Sequence, residues 1–173
     1  ETVVIAGASG GVGSAAIQLA KLRGAKIIAL ASASKAATLL DLGASTVIER
    51  TEPDLETAIR DAASGPPDVA LDVVGGATFT ALTNALRHAG RYSTSGTISG
   101  PMVNFDLRQL VYKDLLLTGA TIVPPGTMAR IVTLIEQGLL KPLLAGTFPL
   151  AELARAQEAF MEKRHVGNIV VTM

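Results

Sequence analysis

The sequence predicts an α/β fold: a doubly wound, parallel six-stranded sheet with helices on both faces, followed by a short C-terminal tail segment. Three observations predict it. Short apolar runs alternate with segments of helical period as far as Ala120. A glycine cluster separates the first apolar run from the first helical segment. The apolar runs also lack the in-out alternation of a half-exposed sheet, as strands covered by helices on both sides do.

The first half of the pattern contains three strands and three helices. Gly43 and the run Gly65-Pro66-Pro67 end the second and third helices. The predicted strands span residues 2–6, 26–30 and 46–48, and the predicted helices span residues 14–23, 35–41 and 55–63.

The second half repeats this pattern and then loosens. Strands are predicted over 69–74, 90–95 and 115–120, with a helix over 78–86. Two successive groups of three strands indicate a sheet of order 3-2-1-4-5-6. The remaining elements are helices over 128–137 and 153–161 and a strand over 168–171, too few for a second full domain.

The composition excludes several classes of protein. Fifteen Lys and Arg balance fifteen Asp and Glu, so no basic field is available for nucleic acid or an anionic membrane. The chain has no cysteine, which excludes disulfides and thiolate metal sites. It shows neither a membrane-spanning run nor a signal peptide, and we expect a cytoplasmic protein that binds neither nucleic acid nor membrane.

A glycine loop lies between the first predicted strand and the first predicted helix. It reads Gly7-Ala8-Ser9-Gly10-Gly11-Val12-Gly13, with glycines at a spacing of three. Such a loop lets the amides and the positive dipole end of the helix face a dinucleotide diphosphate. An ATP-type phosphate loop is excluded because no Lys-Ser or Lys-Thr follows the glycines.

The charge distribution after this loop favours a phosphorylated cofactor. Folds that prefer NAD place Asp or Glu about 20 residues after the glycines, to bind the ribose 2′-hydroxyl. Residues 2–40 contain no acid and four cations, and Ser32, Ser34 and Lys35 could bind a 2′-phosphate. The sequence therefore predicts NADPH over NADH. The alternative is that Ser34 and Lys35 only begin a helix.

Several motifs resemble those of the medium-chain dehydrogenase/reductase superfamily, within it the zinc-independent NADPH:quinone oxidoreductase branch that includes zeta-crystallin. They follow the family's order over essentially the whole chain. They are Val4-Ile5-Ala6-Gly7-Ala8-Ser9-Gly10-Gly11-Val12-Gly13-Ser14-Ala15-Ala16-Ile17-Gln18-Leu19-Ala20-Lys21, Leu42-Gly43-Ala44, Asp72-Val73-Val74-Gly75-Gly76, Gly90-Arg91-Tyr92, Gly119-Ala120-Thr121 and His165-Val166-Gly167-Asn168-Ile169-Val170.

The resemblance implies a Rossmann-type dinucleotide-binding domain over residues 1–146. Residues 147–173 would be the segment that in relatives completes a substrate domain, whose N-terminal part the chain lacks. We therefore expect half of an enzyme, inactive by itself. The cofactor-binding residues implied are Ser9, Gly10, Gly11, Val12 and Gly13 along the loop, Ser32, Lys35 and Arg50 at the adenosine end, and Gly96, Thr97, Ile122 and Val123 at the nicotinamide end.

The resemblance also implies an activity and an assembly. The whole enzyme would transfer hydride from NADPH to a small-molecule quinone or conjugated carbonyl, and relatives dimerise through the edge strand, here residues 115–120. The alternatives are an enoyl-reductase module of a polyketide or fatty-acid synthase and a non-catalytic NADPH-binding module. Two departures stand out: Arg50 replaces a frequent aromatic residue, and Asn168 replaces a frequent lysine.

No catalytic residue and no metal ligand is predicted. The only histidines, His88 and His165, have no partner at metal-ligand spacing on a shared helix face. A short-chain reductase would need Tyr-x-x-x-Lys, and the residues four positions after Tyr92 and Tyr112 are Gly96 and Leu116. That rival class lacks its catalytic pair here.

Overall fold

The structure is a computed structural model that describes every residue from Glu1 to Met173. Its eight strands are β1 (Thr2–Ala6), β2 (Lys26–Ala31), β3 (Thr46–Glu49), β4 (Val69–Asp72), β5 (Arg91–Thr94), β6 (Leu116–Gly119), β7 (Leu144–Pro149) and β8 (Asn168–Thr172). Its seven α-helices are α1 (Gly11–Lys21), α2 (Ala36–Leu42), α3 (Leu55–Ala63), α4 (Ala77–Ala85), α5 (Leu107–Tyr112), α6 (Thr127–Glu136) and α7 (Leu153–Met161).

Six strands form one parallel sheet in the order β3-β2-β1-β4-β5-β6, which confirms the predicted topology. Ala6, Asp72 and Thr94 lie level with one another at the carboxyl ends of β1, β4 and β5. The loops that follow these three strands therefore start side by side. The chain order reverses between β1 and β4, the position at which doubly wound sheets bind ligands.

The sheet separates two hydrophobic cores. Val4, Ile28 and Ile48 face a cluster that includes residues of α3 and α4. Their neighbours in sequence face a second cluster with Ile17 of α1 and Leu39 of α2. Successive side chains of a strand point to opposite faces, so uninterrupted apolar runs are what this two-sided burial requires. The predicted helices on both faces are confirmed.

Two predicted elements, β4 and α1, differ from the structure by more than one residue at a boundary. Strand β4 ends at Asp72 instead of residue 74, because the Asp72 carboxylate accepts hydrogen bonds from the Val74 and Gly75 amides and turns the chain. Helix α1 begins at Gly11 instead of Ser14, so the last glycines of the loop belong to its first turn.

Two further elements were not predicted. Helix α5 has six residues, too few for a clear period in the sequence. Strand β7 pairs with β8 in a separate two-stranded parallel sheet, with α7 between them in the chain. The domain boundary predicted after residue 146 falls inside β7, and the division into two units stays a prediction.

The C-terminal segment is attached to α1 and to the glycine loop. The buried side chain of Gln18 donates to the Lys141 carbonyl at 2.9 Å and accepts from the Lys141 amide at 2.8 Å. The Gly167 amide donates to the Ser9 carbonyl at 2.9 Å. Both contacts join residues more than 100 positions apart, so the last strand is fixed beside the start of α1.

None of the helices combines the length and the apolar character that crossing a membrane requires.

Candidate functional site

The candidate site lies at the carboxyl edge of the sheet. The glycine loop follows β1, residues 73–76 follow β4, and residues 95–100 follow β5. Because the three strands end level with one another, these segments border one crevice. A polar cavity of about 500 Å³ lies elsewhere, between α4 and the chain entering α5. Its one charged lining residue is Asp106, and none of its lining residues is a cation.

The glycine loop depends on close contacts that larger residues could not make. Gly7 has a positive φ of 70°, and a Cβ there would lie 2.5 Å from the Cγ2 atom of Val73. A Cβ on Gly13 would lie 2.6 Å from the Cα atom of Ala8, and closer still to the Gly7 carbonyl oxygen. Gly13 therefore brings α1 directly onto the end of β1, which is the role of the last glycine in dinucleotide-binding loops.

Gly10 is different, because its own surroundings do not require a glycine. Its φ is −79°. The nearest atom to a Cβ at this position would be the Gly7 carbonyl oxygen, at 3.6 Å. The absent side chain leaves room on the outer side of the loop. A dinucleotide-binding loop needs such a residue without a side chain where its backbone meets the diphosphate.

The first turn of α1 offers donors to that space. The amides of Val12 and Gly13 have no acceptor in the protein, and no side chain caps the helix. No acidic residue lies in the first turn. Free amides at the positive end of a helix dipole favour an anion such as a diphosphate.

A cation cluster lies beside this helix end. Lys35 Nζ donates to Ser9 Oγ at 3.3 Å, so the predicted adenosine-end lysine reaches the glycine loop itself. Partial burial and then the positive charges of Arg50 and Lys163 lower the pKa of Lys35. A bound phosphate dianion would offset both effects. The structure therefore joins Lys35 to Ser9 and places Arg50 where its charge acts on Lys35. That these residues bind a cofactor stays a prediction.

Lys163 is a member of this cluster that sequence analysis missed. It lies just after α7, 3.4 Å from the centroid of the Phe160 ring, and its charge acts on Lys35. The two lysines are 128 positions apart, and no local pattern links them. Only the folding of the C-terminal segment back onto the glycine loop brings them together.

The serines of the predicted 2′-phosphate pocket lie in a short turn before α2. Ser32 Oγ and Ser34 Oγ are 3.3 Å apart, and residues 33–35 form a 3₁₀ turn. Ser34 makes no capping hydrogen bond to this turn or to α2. The Ala33 amide donates to the Glu49 carboxylate at 2.7 Å. The pocket therefore contains one carboxylate beside its three cations.

The residues expected at the nicotinamide end are spread along the same edge. Gly96 and Thr97 lie in the loop after β5, against residues 73–76. Ile122 and Val123 follow β6 and are 91% and 68% exposed. Their contact with a cofactor stays a prediction. No group of three or more His, Asp or Glu side chains is placed to hold a metal ion.

The two glycines allow a test that separates folding from binding. We expect Gly13→Ala to lower the free energy of unfolding by about 1–3 kcal/mol, because its Cβ would overlap the backbone of residues 7 and 8. Gly10→Ala should unfold at the same denaturant concentration as the unmodified chain but bind NADPH at least tenfold more weakly. Urea unfolding and cofactor titration measure the two effects. Equal stability of the two variants would contradict the assigned packing role of Gly13.

Comparison with known proteins gives relatives along the whole chain. It is 29% identical to acryloyl-coenzyme A reductase of Metallosphaera sedula, covering 99% of this chain and 51% of the relative. It is 31% identical to the mitochondrial NAD(P)H oxidoreductase RTN4IP1 of Mus musculus (98% and 47%). It is 32% identical to the polyketide synthase system protein NorB of Streptomyces orinoci (100% and 8%). The chain spans about half the length of the first curated relatives it matches.

Solved structures also match nearly the whole chain. A candidate alcohol dehydrogenase from Sinorhizobium meliloti 1021 superposes with a TM-score of 0.94 at 47% identity, over 99% of this chain and 48% of that one. The 2-octenoyl-CoA carboxylase reductase CinF, solved with NADP and 2-octenoyl-CoA, superposes with a TM-score of 0.90 at 31% identity, over 98% and 43%. The family model described as zinc-binding dehydrogenase matches residues 11–137. With its glycine loop, strand order and cation cluster, the chain belongs to the zinc-binding dehydrogenase family of the medium-chain dehydrogenase/reductase superfamily.

Proposed function

We propose that this chain is the NADPH-binding part of an oxidoreductase. The observation that carries the proposal is the hydrogen bond between Lys35 and Ser9, which joins a cation cluster to the uncapped start of α1. The helix end suits a diphosphate, and the cluster beside it suits a second phosphate group. NADPH carries both groups in one molecule. NADP is bound in two related solved enzymes, which supports this cofactor.

The protein's contribution is to bind and orient the cofactor. The free amides of α1 and the side chains of Lys35, Arg50 and Lys163 would hold its phosphates. The loop after β5 would border the nicotinamide ring. When bound, NADPH supplies a hydride, and the residues of this chain supply position and charge.

The choice of NADPH over NADH is tested with matched lysine variants. Lys35→Ala should weaken NADPH binding at least tenfold and leave NADH binding nearly unchanged, because only NADPH has the 2′-phosphate. Lys26→Ala removes the same charge at the amino end of β2, away from the carboxyl ends of the strands where the site lies. This control should change neither affinity. Fluorescence titration of both cofactors measures this. Equal losses for NADPH and NADH in Lys35→Ala would overturn the 2′-phosphate assignment.

For the substrate of the whole enzyme we propose a conjugated carbonyl compound or a quinone. An acryloyl-coenzyme A reductase and an enzyme solved with 2-octenoyl-CoA are among the relatives, and both names describe conjugated thioesters. These names support the conjugated carbonyl more than the quinone. The polyketide synthase relatives favour the second candidate, an enoyl-reductase module of a synthase.

Turnover tests the reductase proposal. The protein in its natural length should oxidise NADPH when offered an enoyl thioester, an enone or a quinone, whereas residues 1–173 alone should bind NADPH without turnover. Absorbance of the reduced nicotinamide follows the reaction. NADPH binding with no turnover on any of these acceptors would favour a non-catalytic binding module.

We also propose the domain arrangement that the sequence predicts. Residues 1–146 would bind the cofactor, and residues 147–173 would continue into a substrate domain. The separate β7–β8 sheet supports this division, although it begins at Leu144. A cytoplasmic location stays a prediction from the composition.

Finally, we propose that the protein forms a homodimer through β6. This strand is one of the two edges of the sheet, and Leu116 on it is 56% exposed. The residues of the other edge strand, β3, are more buried. Helix α5, immediately before it, exposes Leu107 and Val111. A two-fold axis would pair two copies of β6 as neighbouring strands.

Light scattering tests the dimer and should give twice the monomer mass. Leu116→Pro should return the monomer, because proline cannot donate a backbone hydrogen bond to a paired strand. A monomer of the unmodified protein at high concentration would contradict the proposal.

A further inference from the structure

A buried carboxylate and a buried hydroxyl lie beneath the crevice. Asp72 is 1% exposed, and none of the ion pairs in the structure includes it. Its only partners are hydrogen-bond donors: the Val74 amide at 2.6 Å, the Gly75 amide at 3.1 Å, and the hydroxyl of Tyr92 at 2.7 Å. A buried carboxylate without a cation is costly, so this arrangement needs an explanation beyond packing.

The hydroxyl of Tyr92 is not needed to fill the core. The Tyr92 ring packs edge-on against Phe79 at a centroid distance of 5.0 Å, a contact that phenylalanine would also make. Burial and the neighbouring Asp72 raise the pKa of Tyr92, so its hydroxyl keeps the proton that it donates. The Tyr92 hydroxyl therefore bonds to the Asp72 carboxylate, which in turn accepts from the amides of the turn at residues 73–76.

This turn contacts both of the loops that border the crevice. Toward the adenosine side, a Cγ2 atom of Val73 occupies the space next to Gly7, where a Cβ would lie only 2.5 Å away. Toward the nicotinamide side, the Ser99 amide donates to the Val74 carbonyl at 2.8 Å. The turn is the element between the glycine loop and residues 95–100, and the Asp72 carboxylate fixes its backbone.

We propose that Tyr92 and Asp72 are positioning residues that set the separation between the diphosphate-binding and nicotinamide-binding halves of the site. Neither touches the cofactor. They act through residues 73–76, which hold the loop at residues 95–100 at a fixed distance from the glycine loop. The inference rests on the proposed NADPH function. It predicts that loosening the pair weakens recognition of the whole dinucleotide and spares recognition of its adenosine end.

The test compares two ligands on Tyr92→Phe, which keeps the ring and removes one hydroxyl. NADPH spans both halves of the site, whereas 2′,5′-ADP carries the 2′-phosphate and adenosine and has no nicotinamide. We expect Tyr92→Phe to weaken NADPH about tenfold, to change 2′,5′-ADP less than twofold, and to reduce the fluorescence change of the bound nicotinamide. Tyr112→Phe, whose ring is 73% exposed on α5, is the matched control and should behave as the unmodified chain.

Asp72→Asn provides a second variant of similar shape, which cannot accept all three donors and should weaken NADPH at least as much. Thermal unfolding of each variant reports whether it is folded at the titration temperature. The inference is overturned if Tyr92→Phe binds both ligands like the unmodified chain, or if both affinities fall equally. Failure of the unmodified chain to bind either ligand would overturn the proposed function itself, and this result is obtained before any variant is made.

Discussion

The close approach of α1 to β1 is the constraint on which the rest of the site depends. Gly13 rests on the backbone of residues 7 and 8, so the first turn of the helix begins directly above the end of a buried strand. This contact aims the unpaired amides of Val12 and Gly13 at the crevice. A longer connection would move the helix away from the sheet and leave the amides without a fixed direction. Lys35 and the turn after β4 can contribute to the site only because this helix end lies beside them.

Much of this architecture was predictable because it depends on local patterns. Uninterrupted apolar runs such as Val3-Val4-Ile5 indicate strands buried on both faces, and the alternation with helical segments indicates parallel order. Leu144–Pro149 was not predictable in the same way. It is mostly exposed and interrupted by Gly146, and it is a strand because residues 168–172 pair with it. A strand defined by a distant partner leaves little trace in its own sequence.

The same reasoning applies to the candidate site. Ser32 and Lys35 lie near the glycine loop in the chain, and the absence of nearby acids made them visible as an anion pocket. Lys163 reaches that pocket only through tertiary structure. Asp72 and Tyr92 were each visible as members of a motif, but their pairing depends on the register of β4 with β5, which places Tyr92 opposite Ala70. Composition and spacing contain no information about that register.

The contact between Gly10 and Gly167 also bears on how the protein folds. These residues form an isolated parallel bridge although 157 positions separate them in the chain. Contacts of such sequence separation form late, because the loop that they close is long. The glycine loop is synthesised before Gly167, so its final surroundings are complete only after the segment around Gly167 has been made. The native form of the anion-binding edge therefore depends on a contact with a segment that lies 157 positions later in the chain.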